Sequence, residues 1–219
     1  MFASKCCPSP MMRNLLPYLL VLSFGFSFGT AYATPIDKTL RYRVLQIIQA
    51  PEYKPAPKIW KNLGIGPVNN LLAELALDAK SVAVLRRRAT LALAEFPTSR
   101  TEATLRALIG DDLVPMGVRR QAMMSLSNAF PTKSLDTLQP RMLTGHIHLR
   151  EAAILATIPM RDRRVEPLLQ DRLEREKEIV VRTAVERAIK ERRIRRERAE
   201  RKKKQPVLTP LRPDQRDGL

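Results

Sequence analysis

Apolar positions across residues 66–190 recur at i, i+3, i+4 and i+7, the spacing of amphipathic helices, in short runs broken by Asp, Gly or Pro. The pattern predicts a helix over 39–49, with Leu40, Val44, Ile47 and Ile48 on one face, and a short one over 58–63 around Trp60. Pro51, Pro55 and Pro57 make the stretch between them a loop. Gly64-x-Gly66 reads as a helix stop, and Pro67 as an early position of the next helix, which carries Val68, Leu71, Leu72 and Leu75 and ends at Asp78. Further helices are predicted over 82–96, 101–109, 115–130, 134–143, 147–158 and 163–174, with a last one from 178. Pro97, Pro131 and Pro159 are expected to stop three of them, since a residue before proline is pushed out of α geometry. Pro140 is expected to kink or shorten its helix. The last helix meets no such stop. It is expected to run on as a charged, solvated rod to about Lys204, with a disordered Pro-bearing tail beyond.

Within this pattern one stretch returns. Leu85-Arg86-Arg87-Arg88-Ala89 recurs as Val118-Arg119-Arg120-Gln121-Ala122, as Leu149-Arg150-Glu151-Ala152-Ala153 and more loosely as Val181-Arg182-Thr183-Ala184-Val185, at spacings of 33, 31 and 32 residues. A period in that range belongs to stacked helical hairpins, each unit burying its apolar face against its neighbours. The expected fold is therefore all-α, a superhelix or solenoid of about four hairpins. The pieces before residue 66 fit the period poorly and are expected to form an irregular N-terminal cap. Four segments follow: a leader (1–33), the cap (34–65), the repeats (66–190) and a basic extension with its tail (191–219).

The recurring V-R-x-x-A-x-x-A-L pattern resembles HEAT-like repeats of the phycobilisome-lyase type, through Leu85, Arg86, Ala89, Ala92 and Leu93, through Val118, Arg119, Ala122, Ser125 and Leu126, and through Leu149, Arg150, Ala153 and Ala156. The resemblance covers residues 66–190. It implies small residues where paired helices approach closely, and a motif arginine bonded to an aspartate in the preceding turn. Asp78 is placed for that role opposite Arg86, and Asp111 or Asp112 opposite Arg119. In the third unit Gly145-His146 stands in place of the aspartate before Arg150, and in the fourth Val185 replaces the expected alanine, so both units depart from the pattern. Such repeats serve as scaffolds, inhibitors, adaptors and occasionally enzymes, so the resemblance speaks to fold rather than activity.

Composition changes the picture at the two ends. Lys5 and Arg13, an apolar run over 15–28 and Ala31-Tyr32-Ala33 form the three parts of a secretory leader, with cleavage expected before Thr34 and Met1, Met11 or Met12 as the start. An uncleaved membrane anchor is the alternative. Cys6 and Cys7 lie inside that leader, so the exported chain is expected to hold no disulfide, thiolate nucleophile or zinc–cysteine site. The formal net charge is +17, and residues 190–219 hold twelve Lys/Arg against five Asp/Glu. Concentrated charge implies an anionic partner. Arg192, Arg193, Arg195, Arg196, Arg198, Arg201, Lys202, Lys203 and Lys204 are the candidates.

Candidate chemistry is otherwise thin. Arg87, Arg88 and Arg120 are left for a repeat surface if the first arginine of each motif is structural. His146 and His148 are expected to point apart, without neighbours to complete a metal site. Gly64-x-Gly66 lacks the strand before it and the Lys-Ser/Thr after it that a phosphate loop needs. Asp111-Asp112 is explained by helix dipole and arginine pairing rather than as a catalytic pair. No catalytic residue, metal or cofactor is assigned, and no small-molecule substrate is evident. The reading is a non-catalytic scaffold of the cell envelope, periplasmic or secreted. It offers a repeat surface to a protein partner and its tail to an anionic one: lipid headgroup, acidic glycan or acidic protein. The alternatives are a nucleic-acid-binding protein, if the leader is a false reading, and an accessory or lyase-like enzyme.

Overall fold

A computed structural model describes residues 38–51, 53 and 57–204, apart from the side chains of residues 57 and 61. All of them belong to one compact unit, residues 36–219. The leader with its two cysteines, most of the Pro-bearing loop after residue 51, and the tail from residue 205 lie outside the described residues. The fold is all-α, with ten helices among the described residues: α1 (Lys38–Gln49), α2 (Pro57–Lys61), α3 (Ile65–Leu77), α4 (Ala83–Leu93), α5 (Ser99–Gly110), α6 (Met116–Ala129), α7 (Leu135–Leu143), α8 (Ile147–Leu155), α9 (Val165–Arg175) and α10 (Ile179–Lys204).

The helices pack as pairs, α3 with α4, α5 with α6, α7 with α8 and α9 with α10. The four helices bearing the recurring motif also pack on one another in chain order, α4 on α6, α6 on α8 and α8 on α10. One core runs through all of them, from Val44 in α1 to Ala188 in α10. Ala89, Ala122 and Ala153, at one motif position, are fully buried, so helix backbones approach closely there. Inserting a large side chain at such a site costs about 1–3 kcal/mol through overpacking. Val185 is fully buried at the same position in α10, so the register of the fourth unit holds. A larger residue fits there because, among the described residues, no further motif helix packs on α10. α1 and α2 lean on α3, and α1 also on α4, with Trp60 meeting Phe96 edge-on at 6.3 Å between ring centroids.

Helix ends depart from the sequence pattern in two ways. α4 and α8 stop three residues short of the expected end, at Leu93 and Leu155. The residues after α4 close instead in tighter i→i−3 bonds, Glu95 N–H to the Ala92 carbonyl at 3.1 Å and Phe96 N–H to the Leu93 carbonyl at 3.0 Å. Gly66 is not a stop but lies in the first turn of α3. Gly64 makes the turn, with φ of +86°, where a side chain would be strained. Pro140 sits inside α7, a helix of nine residues.

A buried polar lock ties the first two pairs. Asn69, 4% exposed, donates to the Thr98 hydroxyl at 2.8 Å and accepts from the Thr101 hydroxyl at 3.0 Å. Thr98 is the N-cap of α5, accepting from the Thr101 N–H at 3.1 Å. A side chain of α3 thereby fixes where α5 begins.

Candidate functional site

α10 is the element that leaves the packed body. Val181, Ala184, Val185 and Ala188 bury its first turns, and beyond Ile194 every described side chain to Lys204 is exposed. Of the nine cations assigned there to an anionic partner, the structure removes one. The Arg192 side chain is 10% exposed and donates to the Thr157 and Met160 carbonyls at 2.6 and 2.8 Å. It closes backbone acceptors just past the end of α8 and faces Glu166 at 3.7 Å. Burial pushes its guanidinium pKa down, partly offset by Glu166. Arg192 is a latch rather than a binding residue. Arg193 pairs with Glu197 at 3.9 Å, and Arg196 with Glu166 at 3.2 Å. Arg195, Arg198, Arg201, Lys202, Lys203 and Lys204 are exposed and make no ion pair among the described residues. Arg195, Arg198 and Lys202 recur at the three- and four-residue spacing of one helix face, and Glu197 and Glu200 fall on the other side. From Arg195 to Lys202 that face is a cationic stripe free of carboxylates, with Glu191 on the same face one turn below it.

At the foot of that stripe lies a groove of about 580 Å³ between α10 and the 158–163 connection. Arg161, Arg163, Arg192, Arg195 and Arg196 line it with Asp162 and Glu166. Arg161 and Arg163 are absent from the sequence-level candidates. The run Arg161-Asp162-Arg163-Arg164 is visible in the chain, but nothing local shows that it folds back beside residues more than thirty positions later.

The motif arginines reach their partners by routes that partly differ from the expected one. Arg86, 5% exposed, does not bond Asp78. Its Nε donates at 3.0 Å to the Ala76 carbonyl at the end of α3. Asp78 is occupied by the Lys80 N–H at 2.9 Å and the Ser81 hydroxyl at 2.8 Å, which hold its carboxyl below the usual range. Arg119 likewise reaches the carbonyl ten residues back, Ile109, at 3.4 Å, and also pairs with Asp112 at 2.7 Å. Asp111 accepts from the Leu113 N–H instead, at 2.9 Å. Reaching back ten residues requires the five-residue connections 78–82 and 111–115, whereas 144–146 and 176–178 are three residues long. Arg150 accordingly turns to Glu176 at 3.7 Å, and Arg182 stays exposed and pairs with Glu186 at 3.7 Å. Glu176 is buried. Burial pushes its pKa up, but the Glu178 N–H, Arg172 and Arg150 outweigh that and hold it below its ordinary value.

Of the arginines assigned to a repeat surface, Arg88 is withdrawn. It donates to the Ile48 and Ala50 carbonyls at 2.8 and 2.9 Å, closing the end of α1. Arg87 is exposed and Arg120 half-buried, and both line a second groove of about 380 Å³ with Gln121, Met124 and Leu155. Arg120 is partly neutralised by Glu151 at 3.4 Å. Large apolar side chains are exposed at the turns inside the helix pairs: Val82, Val84, Leu113, Met116, Ile179 and Val180. Since α4, α6, α8 and α10 pack in order, the starts of three of these helices present apolar tips.

The two histidines do not point apart. His146 caps α8 with extended backbone (φ −64°, ψ 138°), which brings its ring 5.3 Å from that of His148. His146 Nδ1 accepts from the His148 N–H, and His148 Nδ1 lies 3.3 Å from Glu151. No group of three or more His, Cys, Asp or Glu side chains among the described residues is placed to hold a metal ion. No described helix is long and apolar enough to cross a membrane. Comparison of the chain with protein-family models, curated proteins and solved structures finds no match.

Proposed function

We propose that this chain is an exported, non-catalytic repeat scaffold of the HEAT-like kind, an α-solenoid of four hairpins that joins a protein partner to an anionic surface. The observation that carries the reading is α10. It continues for about ten residues past its last packed side chain, with six cations that no carboxylate among the described residues engages. Holding uncompensated charge on an ordered rod favours anions in the surroundings, by attraction that salt screens. The order of packing, each motif helix on the next, supports the solenoid. The exposed apolar tips of the within-pair turns and the Arg87–Arg120 groove support a protein partner on the repeats. Export rests on the leader pattern of residues 1–33 and directs the cationic rod toward lipid headgroups or other envelope anions rather than nucleic acid. The rod carries no aromatic residue on which a base could stack.

The test removes residues 197–219, a cut that keeps the Arg192 latch and the Arg196 pair. The truncated chain is expected to fold as before and to lose most of its low-salt binding to anionic vesicles or heparin. Unchanged binding sinks the anion-binding reading. A cytoplasmic protein whose N-terminus, read by mass spectrometry, is not near Thr34 sinks export and moves the reading to nucleic acid.

A further inference from the structure

The groove beside the middle of α10, at the foot of the stripe, differs from the exposed stripe above it. It is concave, about 580 Å³, and its cations come from two separate elements. Five guanidinium groups, those of Arg161, Arg163, Arg192, Arg195 and Arg196, face two carboxylates. Both carboxylates are already engaged. Asp162 accepts from the Arg164 N–H at 2.8 Å and pairs with the Arg164 side chain at 2.7 Å, which holds its carboxyl below the usual range. Glu166 lies between Arg192 at 3.7 Å and Arg196 at 3.2 Å. Arg161, Arg163 and Arg195 remain exposed, with side chains that no acceptor among the described residues engages. The start of α9 at Val165 adds the positive end of a helix dipole beside them.

We propose that this groove binds a terminal phosphate, a phosphomonoester, through Arg161, Arg163 and Arg195. The proposal deepens the anion-binding reading of α10 by naming a site and a ligand chemistry. A doubly charged anion with three equivalent oxygens matches guanidinium forks approaching from two sides. A single carboxylate carries one charge and two oxygens, and leaves two of the three cations uncompensated where the phosphomonoester leaves one. Ile158, Pro159, Met160 and Ala199 give the groove an apolar wall, which suits an ester that carries its phosphate on a carbon skeleton rather than the bare ion. Arg192 and Arg196 take no direct part. Committed to the Thr157 and Met160 carbonyls and to Glu166, they hold α10 against the connection and so set the width of the groove.

The test uses the chain from residue 34 on, which contains the whole compact unit. Glycerol 3-phosphate and inorganic phosphate probe the soluble form of the ligand. Phosphatidic acid vesicles, against phosphatidylglycerol vesicles at equal mole fraction, probe the lipid form, since the first presents a phosphomonoester and the second a diester. The protein is expected to prefer phosphatidic acid, and R161Q/R163Q/R195Q to abolish the preference, weakening that binding on the order of tenfold to a hundredfold. R161Q/R163Q, which leaves every cation of the stripe in place, is expected to lose most of the preference while keeping its melting temperature and its salt-sensitive binding to phosphatidylglycerol. A variant with Arg198, Arg201 and Lys202–Lys204 changed to Gln is expected to do the opposite, losing general vesicle binding and keeping the response to glycerol 3-phosphate. Equal binding to the two lipids, or a preference that survives R161Q/R163Q/R195Q, overturns the site and leaves the tail reading standing. Binding to phosphatidylglycerol vesicles that survives unchanged in the Arg198, Arg201 and Lys202–Lys204 variant overturns the tail reading instead. Duplex DNA displacing glycerol 3-phosphate more effectively than phosphatidic acid vesicles do assigns the groove to a diester backbone and overturns the monoester.

Discussion

Arg192→Ala is expected to be the most damaging single change in the basic extension, and for a reason unrelated to binding. The guanidinium donates to two carbonyls whose residues, Thr157 and Met160, are 0% and 4% exposed. A hydrogen bond from a charged donor contributes about 1.5–3 kcal/mol, and an abandoned buried acceptor costs about 1–3 kcal/mol; that cost falls on the Met160 carbonyl, since the Thr157 carbonyl keeps the Met160 N–H at 3.0 Å. Water entering the truncated site recovers part of this, and Glu166 keeps Arg196. The expected net loss is therefore about 2–4 kcal/mol, which for a chain of this size lowers the melting temperature by roughly 5–15 °C. Arg192→Lys is expected to lose about half as much: one nitrogen, Nη1, serves both carbonyls, and the shorter lysine stem brings its ammonium only part of the way to that point. Arg195→Ala, three residues on and fully solvated, is expected to stay within about 0.5 kcal/mol of the parent. Thermal unfolding followed by circular dichroism measures all three. Hydrogen exchange is expected to show the 156–164 connection and the middle of α10 opening first in Arg192→Ala. If Arg192→Ala and Arg195→Ala melt together, the distinction drawn between latch and free cation fails.

Other outcomes follow from the same geometry. Arg88→Ala is expected to raise exchange rates in α1, whose final carbonyls it closes, and Arg87→Ala one position away to leave them unchanged. Asn69→Ala removes the acceptor for the buried Thr101 hydroxyl and is expected to cost about 1–3 kcal/mol in denaturant unfolding. Glu176 has a folded-state pKa held below its unfolded value, so its contribution is present above the unfolded carboxylate range and is lost as pH falls through the folded pKa. Glu176→Gln is therefore expected to flatten the acid limb of the stability curve. A parallel acid dependence in parent and variant would refute that assignment. Binding to anionic vesicles is expected to fall steeply as salt rises, read by co-sedimentation, with no change in the melting profile.

The helices and their partners were legible in the chain because both signals are local or periodic. Apolar spacing marked every described helix, and the return of Leu85-Arg86 at 118, 149 and 181 singled out the four that pack in sequence. What local pattern could not carry was the destination of a long side chain. Arg86 and Asp78 have the right spacing for a pair. The buried Ala76 carbonyl is nevertheless the better target, because it has no other donor while Asp78 is served by its own turn. Arg88 and Arg192 sit in charge runs that look solvated, and each is drawn inward by backbone acceptors at or just past the end of a helix more than thirty residues earlier. The histidines misled for a related reason: the angle expected between them assumes both are helical, and His146 is the cap. The groove was illegible altogether, since Arg161 and Arg195 meet through the fold alone.

The continuity of α10 has a mechanical consequence. With a rise of about 1.5 Å per residue, the nine residues after Arg195 place the last charge of α10 about 13 Å along the axis from that arginine, beyond a physiological screening length of about 8 Å. The tip therefore senses a charged surface independently of the charges on the repeats, while remaining covalently rigid with them. Whatever sits on the repeat surface is held at a set standoff and a set rotation from whatever the tip touches. Adding four residues after Ala199 lengthens that standoff by about 6 Å and returns nearly the same face, whereas adding two turns the stripe to the opposite side. Spacing and angle are thus written in the length of one helix, and length can be changed without touching a single contact in the core.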